Sequence, residues 1–419
     1  MKKTHALLSL GAAATVALAG CSTKGSEEGS GGDSDLKYDV GITEDEIKLG
    51  VLTDTSGVFK AVGLNLTQGN ELWAEDINAQ GGICDREIAL TIQDHGYKPD
   101  NAISLYDQTK TDVVGFMQIL GSPIIAALKG KLDTDNVMAV IATQSTMNLD
   151  VDEVMMIASS YDIEMVNGLS WAKDQGMIAD GGKIAHIYVD SEYGQNGLMG
   201  SKYWAEQNGV EVVPVAVSAA DTDMTTTVTK IKNEGVDMIA LTTAPAATGS
   251  IALQNQAQGL NLPLLGNDPV FASSMLSDPT LTAALENLHV MWGGEPFAGD
   301  SEQSKKLQES WNAKYPGEQP GYGVPAGYLE ALVWEAILTK ACENGDMTRE
   351  GLLEARLSLD DVDAKGLSDN MDLTDPGQPP VRSAYVLEID AATPGGQKIV
   401  DGPVLSEDAK AYKTPHQQD

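Results

Sequence analysis

Residues 47–93 read IKLGVLTDTSGVFKAVGLNLTQGNELWAEDINAQGGICDREIALTIQ, and their pattern indicates the fold class. Ile47 to Leu52 is apolar and predicts a buried strand, Leu66 to Ala79 predicts an amphipathic helix, and Glu87 to Gln93 predicts a second strand. The glycines that follow Gln80 are typical of a helix C-terminus. A strand–helix–strand unit of this kind predicts parallel strands that are covered by helices.

The same alternation of strands and helices continues in two successive runs along the chain. We therefore predict an α/β fold with two doubly wound parallel-sheet lobes, and a ligand trapped between the carboxyl ends of their strands. Further predicted strands lie at Val113 to Leu120, Val137 to Thr143, Lys183 to Val189, Val210 to Ser218, Met238 to Thr243, Leu262 to Gly266 and Ala384 to Ile389. Further predicted helices lie at Pro99 to Thr109, Pro123 to Leu132, Gly194 to Gln207, Met224 to Asn233, Ala247 to Gln258, Ser301 to Tyr315 and Pro325 to Glu343.

The N-terminus has the pattern of an export signal. Two lysines precede the apolar stretch Ala6 to Ala19, which is too short for a permanent membrane span of about 20 residues. It ends in Leu18-Ala19-Gly20-Cys21, the pattern of a bacterial lipobox, so we expect cleavage after residue 20 and lipidation of Cys21; the alternative is an ordinary cleaved signal with a cysteine nearby. Residues 21–36 are rich in Ser, Gly, Asp and Glu and predict a lipidated flexible tether. The folded part is then extracytoplasmic and anchored to the cell membrane.

Charge and cysteine content restrict the partners of the chain. A formal net charge of −34 argues against a nucleic-acid partner, because phosphate binding requires clustered Lys and Arg. With Cys21 lipidated, Cys84 and Cys342 are the remaining cysteines, and outside the cytoplasm they are candidates for a disulfide; two separate buried thiols are the alternative.

Motifs of catalysis are absent from the sequence. It contains no Walker A loop, no G-x-G-x-x-G, no G-x-S-x-G and no H-E-x-x-H. His186 lies in a predicted core strand, where a hydrogen-bonded structural histidine is the favoured interpretation. The acidic groups at residues 150–153 and 369–375 lack a calcium-loop pattern and are interpreted as solvated loops, with calcium binding as the alternative. We predict no enzyme, no cofactor and no metal.

Three short motifs resemble one family. Gly50-Val51-Leu52-Thr53, followed by Ser56-Gly57 and Gly63, resembles the opening of leucine/isoleucine/valine-binding proteins. Residues 75–83, EDINAQGGI, are similar to the D-I-N-A-x-G-G-I signature of that family, and Asp190-Ser191-Glu192-Tyr193-Gly194 is similar to its D-x-x-Y-G turn. The order and spacing of these motifs extend the resemblance from about residue 47 to residue 345.

The resemblance implies the type I periplasmic-binding fold, in which two lobes are joined by three crossovers and close like a jaw. It implies lobe 1 at residues 37–160 plus 292–366, lobe 2 at 161–291 plus 367–410, and a tail at 411–419. It also implies a monomeric substrate-binding lipoprotein that delivers an amino acid to the membrane permease of an ABC importer. A ligand-sensing ectodomain that acts through a separate membrane partner is the alternative, and an extracellular enzyme is a third hypothesis.

The resemblance also implies ligand-binding residues at the ends of strands. The Ser122 hydroxyl and nearby amides would bind the ligand carboxylate, Gln144 and Thr146 would hold its charged groups, Tyr193 would enter the pocket from the second lobe, and Asp268 would pair with the α-ammonium. A zwitterion that leaves water needs a partner for each charge. The alternatives are that Ser122 and Thr146 cap helices and that Asp268 initiates a turn before Pro269.

The sequence departs from the family at the side-chain pocket. Val62 replaces a frequent aromatic residue, Ala244 replaces a frequent tyrosine, and Gly121 leaves extra room. The chain has only four phenylalanines, which argues against a richly aromatic cage, although Trp and Tyr could contribute. A branched-chain or other apolar amino acid is the first expectation for the ligand, with amides, urea-like solutes and small carboxylates as alternatives.

Overall fold

The structure is a computed structural model, and it describes residues 36–417. These residues form one compact unit. The predicted signal peptide at residues 1–20, the lipidation at Cys21 and, apart from Leu36, the predicted tether lie outside the described residues. No helix in the described part of the chain is long and apolar enough to cross a membrane.

Strands and helices alternate along most of the chain. The strands are β1 Lys37–Tyr38, β2 Glu46–Thr53, β3 Glu87–Asp94, β4 Gly115–Leu120, β5 Ala139–Ala142, β6 Val154–Met155, β7 Lys183–Val189, β8 Glu211–Val217, β9 Met238–Thr242, β10 Leu264–Asn267, β11 Leu288–Trp292, β12 Asp346–Met347, β13 Ala384–Ile389 and β14 Gln397–Val404. The helices are α1 Lys60–Ala79, α2 Pro99–Thr109, α3 Ser122–Asp135, α4 Tyr161–Asp174, α5 Glu192–Asn208, α6 Thr225–Glu234, α7 Pro245–Ala257, α8 Pro279–Ala284, α9 Glu302–Lys314, α10 Gly323–Asn344, α11 Arg349–Arg356 and α12 Glu407–Ala411.

The first large sheet has five strands in the order β3-β2-β4-β5-β6, and every neighbouring pair is parallel. This is the doubly wound order, in which the chain reverses its direction of winding between β2 and β4. Loops that follow strands on the two sides of such a reversal diverge and leave a crevice at the carboxyl edge of the sheet. The crevice of this sheet is therefore formed by the segments that follow Thr53, Leu120 and Ala142.

The second large sheet has seven strands in the order β14-β13-β11-β10-β9-β7-β8. From β8 to β11 the strands are parallel and repeat the same doubly wound order, with the reversal between β7 and β9. Strands β13 and β14 extend the sheet in antiparallel fashion. The crevice of this sheet is formed by the segments that follow Val189, Thr242 and Asn267.

The chain passes between the two sheets three times, at residues 156–160, 293–301 and 357–383. Two doubly wound, mostly parallel sheets with three crossovers confirm the fold class that we predicted from the sequence. The residue boundaries of the two lobes stay a prediction.

Helices α1 and α10 pack closely because glycines lie at their contact. A Cβ atom at Gly69 would collide with the backbone of Val324, and one at Gly327 would collide with the backbone of Leu66. A disulfide also links the two helices. It joins Cys84, which follows α1, to Cys342 near the end of α10, and the two Cα atoms are 6.1 Å apart. The two candidate cysteines are thus joined across the first lobe.

The sequence pattern does not predict several elements, of which α4 is the largest. Nearly every side chain of α4 is buried, so the helix has no polar face and no amphipathic periodicity. It also contains Gly168, where a Cβ atom would lie 2.8 Å from the Met291 side chain of the neighbouring β11. The strands β11 and β14 and the helix α11 were also not predicted.

Two chemical expectations outside the site can be compared with the structure. His186 is buried, and its ring nitrogens lie 2.8 Å from the hydroxyls of Ser201 and Thr242, which confirms a hydrogen-bonded structural histidine. Burial lowers the pKa of His186 to about 3. Among residues 36–417, no group of three or more Asp, Glu, His or Cys side chains is placed to hold a metal ion.

Candidate ligand-binding site

A cavity lies where the crevices of the two large sheets meet, with an empty volume of about 470 Å³. Its walls come from the segments that follow β2, β3, β4, β5, β7 and β10, from the first crossover and the start of α4, from the end of β11, and from the helices α1 and α10. It is lined by Phe59, Val62, Leu66, Tyr97, Leu120, Gly121, Ser122, Ala142, Thr143, Gln144, Ile157, Tyr161, Tyr193, Asp268, Pro269, Trp292, Tyr322, Ala326 and Glu330. The cavity thus occupies the position that the strand order predicts for a ligand.

Aromatic rings form a large part of the cavity wall. Tyr161 and Tyr193 meet edge to face with centroids 4.8 Å apart, and Trp292 and Tyr322 do so at 5.5 Å. Phe59 lies 4.7 Å from the ring of Tyr97, which also lines the cavity. The expectation that the pocket is not richly aromatic is therefore wrong. Tyrosine and tryptophan supply the rings that a count of phenylalanines overlooked.

Ser122 lies in the cavity at the first turn of α3. It does not cap the helix: its hydroxyl is hydrogen-bonded to the hydroxyl of Thr143 after β5. Gly121, which precedes it, has φ of 110°, and a Cβ atom there would lie 2.6 Å from the ring of Tyr97. The extra room at Gly121 is therefore filled by the ring of Tyr97.

The N-terminus of α3 offers few amide donors to a carboxylate. Pro123 has no N–H, and the amides of Ile124 and Ile125 both donate to the carbonyl of Gly121 at 3.0 Å. At most the amide of Ser122 remains free in this turn. A ligand carboxylate at this position would depend on the Ser122–Thr143 hydroxyl pair and on the positive end of the helix dipole.

The structure separates Gln144 from Thr146. Gln144 is buried in the cavity wall, and its side-chain oxygen has no hydrogen-bond partner. Thr146 does not line the cavity, because its hydroxyl donates to Asp162 at 2.7 Å and accepts from the Asn196 amide at 2.7 Å. The structure therefore brings Gln144, but not Thr146, to the other predicted site residues.

Tyr193 reaches the cavity from the second residue of α5. Its hydroxyl donates to the carbonyl of Thr243 at 3.4 Å, and its ring packs against Tyr161. Burial raises the pKa of Tyr193 well above its usual value, so the phenol is neutral. Ala244, which follows Thr243, is buried but does not line the cavity.

Asp268 is the acidic group at the carboxyl end of β10. It is 4% exposed, and its Oδ1 has no hydrogen-bond partner in the protein. Burial raises the pKa of Asp268 well above its usual range, against the smaller lowering effect of the nearby Tyr322 side chain. A buried oxygen without a hydrogen-bond donor destabilises the protein. A ligand that donates a hydrogen bond to this oxygen would remove that free-energy cost.

Glu164 lies behind Asp268 and is also buried. The amide of Asn267 donates to its Oε2 at 2.9 Å, and its Oε1 has no partner. Burial raises the pKa of Glu164, and the nearby charge of Asp268 raises it further. The region around Asp268 therefore disfavours a second negative charge and favours a positive one.

Glu330 was not identified from the sequence. It lines the cavity from α10, is 0% exposed, and follows Tyr322 and Ala326 at intervals of four residues, so the three share one face of the helix. Its only signal in the sequence is that it is an acidic residue directly before the apolar run Ala331 to Val333. Tyr97, Tyr161 and Tyr322 were missed because they lie in segments to which no role was assigned.

The lining residues set the charge preference of the cavity. None of the described residues that line it is Lys, Arg or His, whereas Asp268 and Glu330 both contribute carboxyl groups. Aromatic faces are also attractive to cations. The arrangement can hold a solute by an ammonium group or by other hydrogen-bond donors.

A cavity between two doubly wound sheets is the arrangement of a two-lobed solute-binding protein. The chain belongs to the periplasmic binding protein family, whose family model matches residues 46–397. It is therefore a binding protein rather than an enzyme.

Curated relatives match part of the chain at low identity. The chain is 22% identical over 230 residues to a Leu/Ile/Val/Thr-binding protein of Salmonella typhimurium, which covers 54% of this chain and 62% of the relative. It is 24% identical over 267 residues to an amino acid binding protein of Pseudomonas aeruginosa, covering 60% of this chain and 68% of that protein.

Solved structures match nearly the whole described part. A fatty acid ABC transporter substrate-binding protein from Thermomonospora curvata is 35% identical, with a TM-score of 0.88 over 91% of this chain and 97% of that one. A branched chain amino acid ABC transporter protein from Thermus thermophilus with bound valine has a TM-score of 0.78 at 16% identity, covering 88% of this chain and 99% of that chain, which shows the shared fold.

Proposed function

We propose that the chain is the extracytoplasmic substrate-binding component of an ABC importer and that it binds an amino acid between its two lobes. Family membership supports the role in solute capture. The N-terminal lipobox supports anchorage to the membrane through a lipid at Cys21. A membrane permease is the partner in this role, and the chain acts as a monomer. The sensing role remains the alternative, with a separate membrane protein as its partner.

The buried carboxyl group of Asp268 carries the proposal for the ligand. Its Oδ1 has no hydrogen-bond partner, and Asp268 lines a cavity whose described lining has aromatic rings and no cationic side chain. An ammonium group would supply the missing donors and charge, and charge-assisted hydrogen bonds stabilise by roughly 1.5–3 kcal/mol each. The ligand carboxylate would lie at the Ser122–Thr143 hydroxyl pair, with Gln144 beside it and Tyr193 packing from the second lobe.

The side chain of the amino acid is proposed to be apolar, as in leucine, isoleucine or valine. The curated relatives that bind such amino acids support this choice, and so do Val62, Leu66 and Ile157 in the cavity wall.

A fatty acid is the second candidate ligand, and the likeness to the Thermomonospora curvata protein favours it. The carboxyl groups of Asp268 and Glu330 argue against a fatty acid. They have no cationic partner among the described lining residues, and a fatty acid brings a further negative charge. Charge repulsion in a buried site raises the cost of binding such an anion.

A thermal-shift screen of the full chain, after removal of any carried-over ligand, tests the proposal. It compares amino acids, amides, and short and long fatty acids. A ligand at roughly 100 times its dissociation constant stabilises the folded state by about 2.7 kcal/mol. We expect stabilisation by amino acids and none by fatty acids. Stabilisation by fatty acids alone would support the second candidate and refute the amino-acid proposal.

A further inference from the structure

Glu330, which lines the same cavity as Asp268, also has a carboxyl oxygen without a hydrogen-bond partner. The Oε2 atom of Glu330 accepts a hydrogen bond from the Asn70 amide at 3.1 Å, and that amide is held in place by donating to the carbonyl of Gly327 at 2.8 Å. The Oε1 atom of Glu330 has no hydrogen-bond partner, and the side chain is 0% exposed. One oxygen is therefore fixed by the protein and the other is left without a donor.

The two carboxyl groups lie at different places along the cavity. Tyr322, whose side chain lowers the pKa of the nearby Asp268, immediately precedes α10, whereas Glu330 is eight residues further on the same helix face. Eight residues of α-helix correspond to about 12 Å along the axis. The cavity wall between them includes Ala326 from α10 and Leu66 from α1, which are apolar. The cavity thus has an acidic group at each of two sites with an apolar wall between them.

The free oxygen of Glu330 needs a donor that its protein neighbours do not supply. Leaving a buried polar atom unpaired costs on the order of 1–3 kcal/mol. Burial raises the pKa of the Glu330 carboxyl, and the Asn70 hydrogen bond opposes that effect. A hydroxyl group of a ligand can pair with this carboxyl in either protonation state, and an ammonium group pairs with the ionised state.

We infer that Glu330 is a specificity-determining residue that binds a hydrogen-bond donor at the far end of the ligand. The preferred solute then carries an ammonium at Asp268, an apolar middle, and a terminal hydroxyl, amide or ammonium at Glu330. This inference rests on the proposed binding of an amino acid, and it replaces a purely aliphatic side chain by one with a donor at its end.

Matched amino acids test this inference by calorimetric titration of the full chain. The probes are norleucine, ε-hydroxynorleucine and lysine, together with the shorter series norvaline, δ-hydroxynorvaline and ornithine, all as L-isomers. Within each series only the end group changes. We expect the wild type to bind a hydroxyl- or ammonium-ended member at least about tenfold more tightly than the methyl-ended member.

Two substitutions assign the preference to Glu330. Glu330→Leu removes the acceptor, so we expect the tenfold preference to disappear. Glu330→Gln keeps a carbonyl oxygen but removes the charge, so it should retain the hydroxyl preference and lose the ammonium preference. Glu153→Gln is the matched control, because Glu153 is also buried with an unpartnered oxygen but does not line the cavity. It should leave all ratios unchanged.

Equal wild-type affinity for methyl- and hydroxyl-ended probes, with no preference for the ammonium-ended ones, would overturn the inference whether or not the variants fold. A preference for α-aminoadipate, which carries a carboxylate at that end, would also overturn it. If norleucine binds and Glu330→Leu preserves the wild-type ratios, the inference fails while the proposed function stands. Failure of every amino-acid probe to bind would refute the proposed function, and the inference with it.

Discussion

Two buried aspartates near the cavity, Asp162 and Asp268, differ in how their oxygens are satisfied. Asp162 is 0% exposed and accepts from the Ile163 amide, the hydroxyls of Thr146, Ser160 and Tyr412, and the side-chain amide of Asn196. Asp268 is similarly buried, but its Oδ1 accepts nothing. Buried polar groups in native proteins are normally paired. The comparison indicates that the fold itself satisfies the oxygens of Asp162, whereas it leaves an oxygen of Asp268 without a donor, as the proposed ligand site requires.

The position of Asp162 supports its structural role. It lies at the start of α4, just after the first crossover between the sheets, and its donors come from the loop after β5, from α5 and from the residue that follows α12. The carboxyl group thereby connects four segments that are distant in sequence. Tyr412, which lies in the predicted tail, is buried in this network.

The largest effect is expected from Asp162→Ala. The substitution leaves several buried donors unpaired, each at a cost of about 1–3 kcal/mol, so the free energy of unfolding should fall by about 3 kcal/mol or more. Denaturant unfolding of the ligand-free chain measures it. A loss below about 1 kcal/mol would contradict the structural role of this network.

The next effect is expected from Asp268→Ala, on affinity rather than on stability. Removing the partner of a buried ammonium should weaken binding of an amino acid by about 2–5 kcal/mol. The stability of the ligand-free chain should fall much less than in Asp162→Ala, because the substitution removes an unpaired buried oxygen and loses only the interaction with Tyr322. Calorimetric titration measures the affinity and denaturant unfolding measures the stability. A large loss of stability with unchanged affinity would contradict the distinction between the two aspartates.

The stability of the ligand-free chain and its affinity for an ammonium group should depend on pH with opposite signs. Because the folded-state pKa of Asp268 is raised above 3.8, the folded ligand-free chain binds more protons than the unfolded chain above that pH. Its contribution to stability is then lost as pH rises through the raised pKa. Affinity for an ammonium should instead increase over the same window, because ionised Asp268 is the form that binds.

The pH experiment compares the wild type with Asp268→Asn, since Glu164 and Glu330 also have raised pKa values and contribute to the wild-type curve. The difference between the two proteins reports the titration of Asp268 together with its effect on Glu164, whose pKa the charge of Asp268 raises. An affinity difference that is independent of pH would argue against an ionised Asp268 in the complex.

The smallest effects are expected from the two hydroxyls that the sequence assigned to the same ligand. Ser122→Ala should reduce affinity by about 1 kcal/mol, because Ser122 lines the cavity, and the loss of its hydrogen bond to Thr143 should lower stability as well. Thr146→Val should reduce stability by about 1 kcal/mol with little change in affinity, because its hydroxyl bonds to Asp162. Titration and unfolding of both variants show whether the two roles are separable.

The general architecture was predictable because parallel sheets impose strong rules. Apolar runs located most strands of both sheets, and strand ends located Ser122, Gln144 and Asp268, because loops after parallel strands converge at one edge. The local sequence does not determine the direction in which a loop side chain points. Thr146 follows the same strand as Gln144, yet its hydroxyl is turned towards Asp162 by contacts with distant segments.

Other parts of the site depend on long-range packing that no local pattern contains. Tyr161 begins a helix that is buried on all sides, so neither the helix nor its tyrosine had an amphipathic signal. Tyr322 and Glu330 reach the cavity because α10 packs against α1 through Gly69 and Gly327, a contact between segments more than 250 residues apart. Their roles became apparent only from the assembled fold.

The most direct test of the central claim is a calorimetric comparison of L-norleucine with hexanoate, which has the same carbon chain and carboxylate but no ammonium. Binding at Asp268 predicts that norleucine binds at least about 30-fold more tightly, as expected for the loss of a buried charge-assisted interaction of about 2 kcal/mol or more. In Asp268→Asn that advantage should largely vanish. Equal or tighter binding of hexanoate to the wild type would contradict the account.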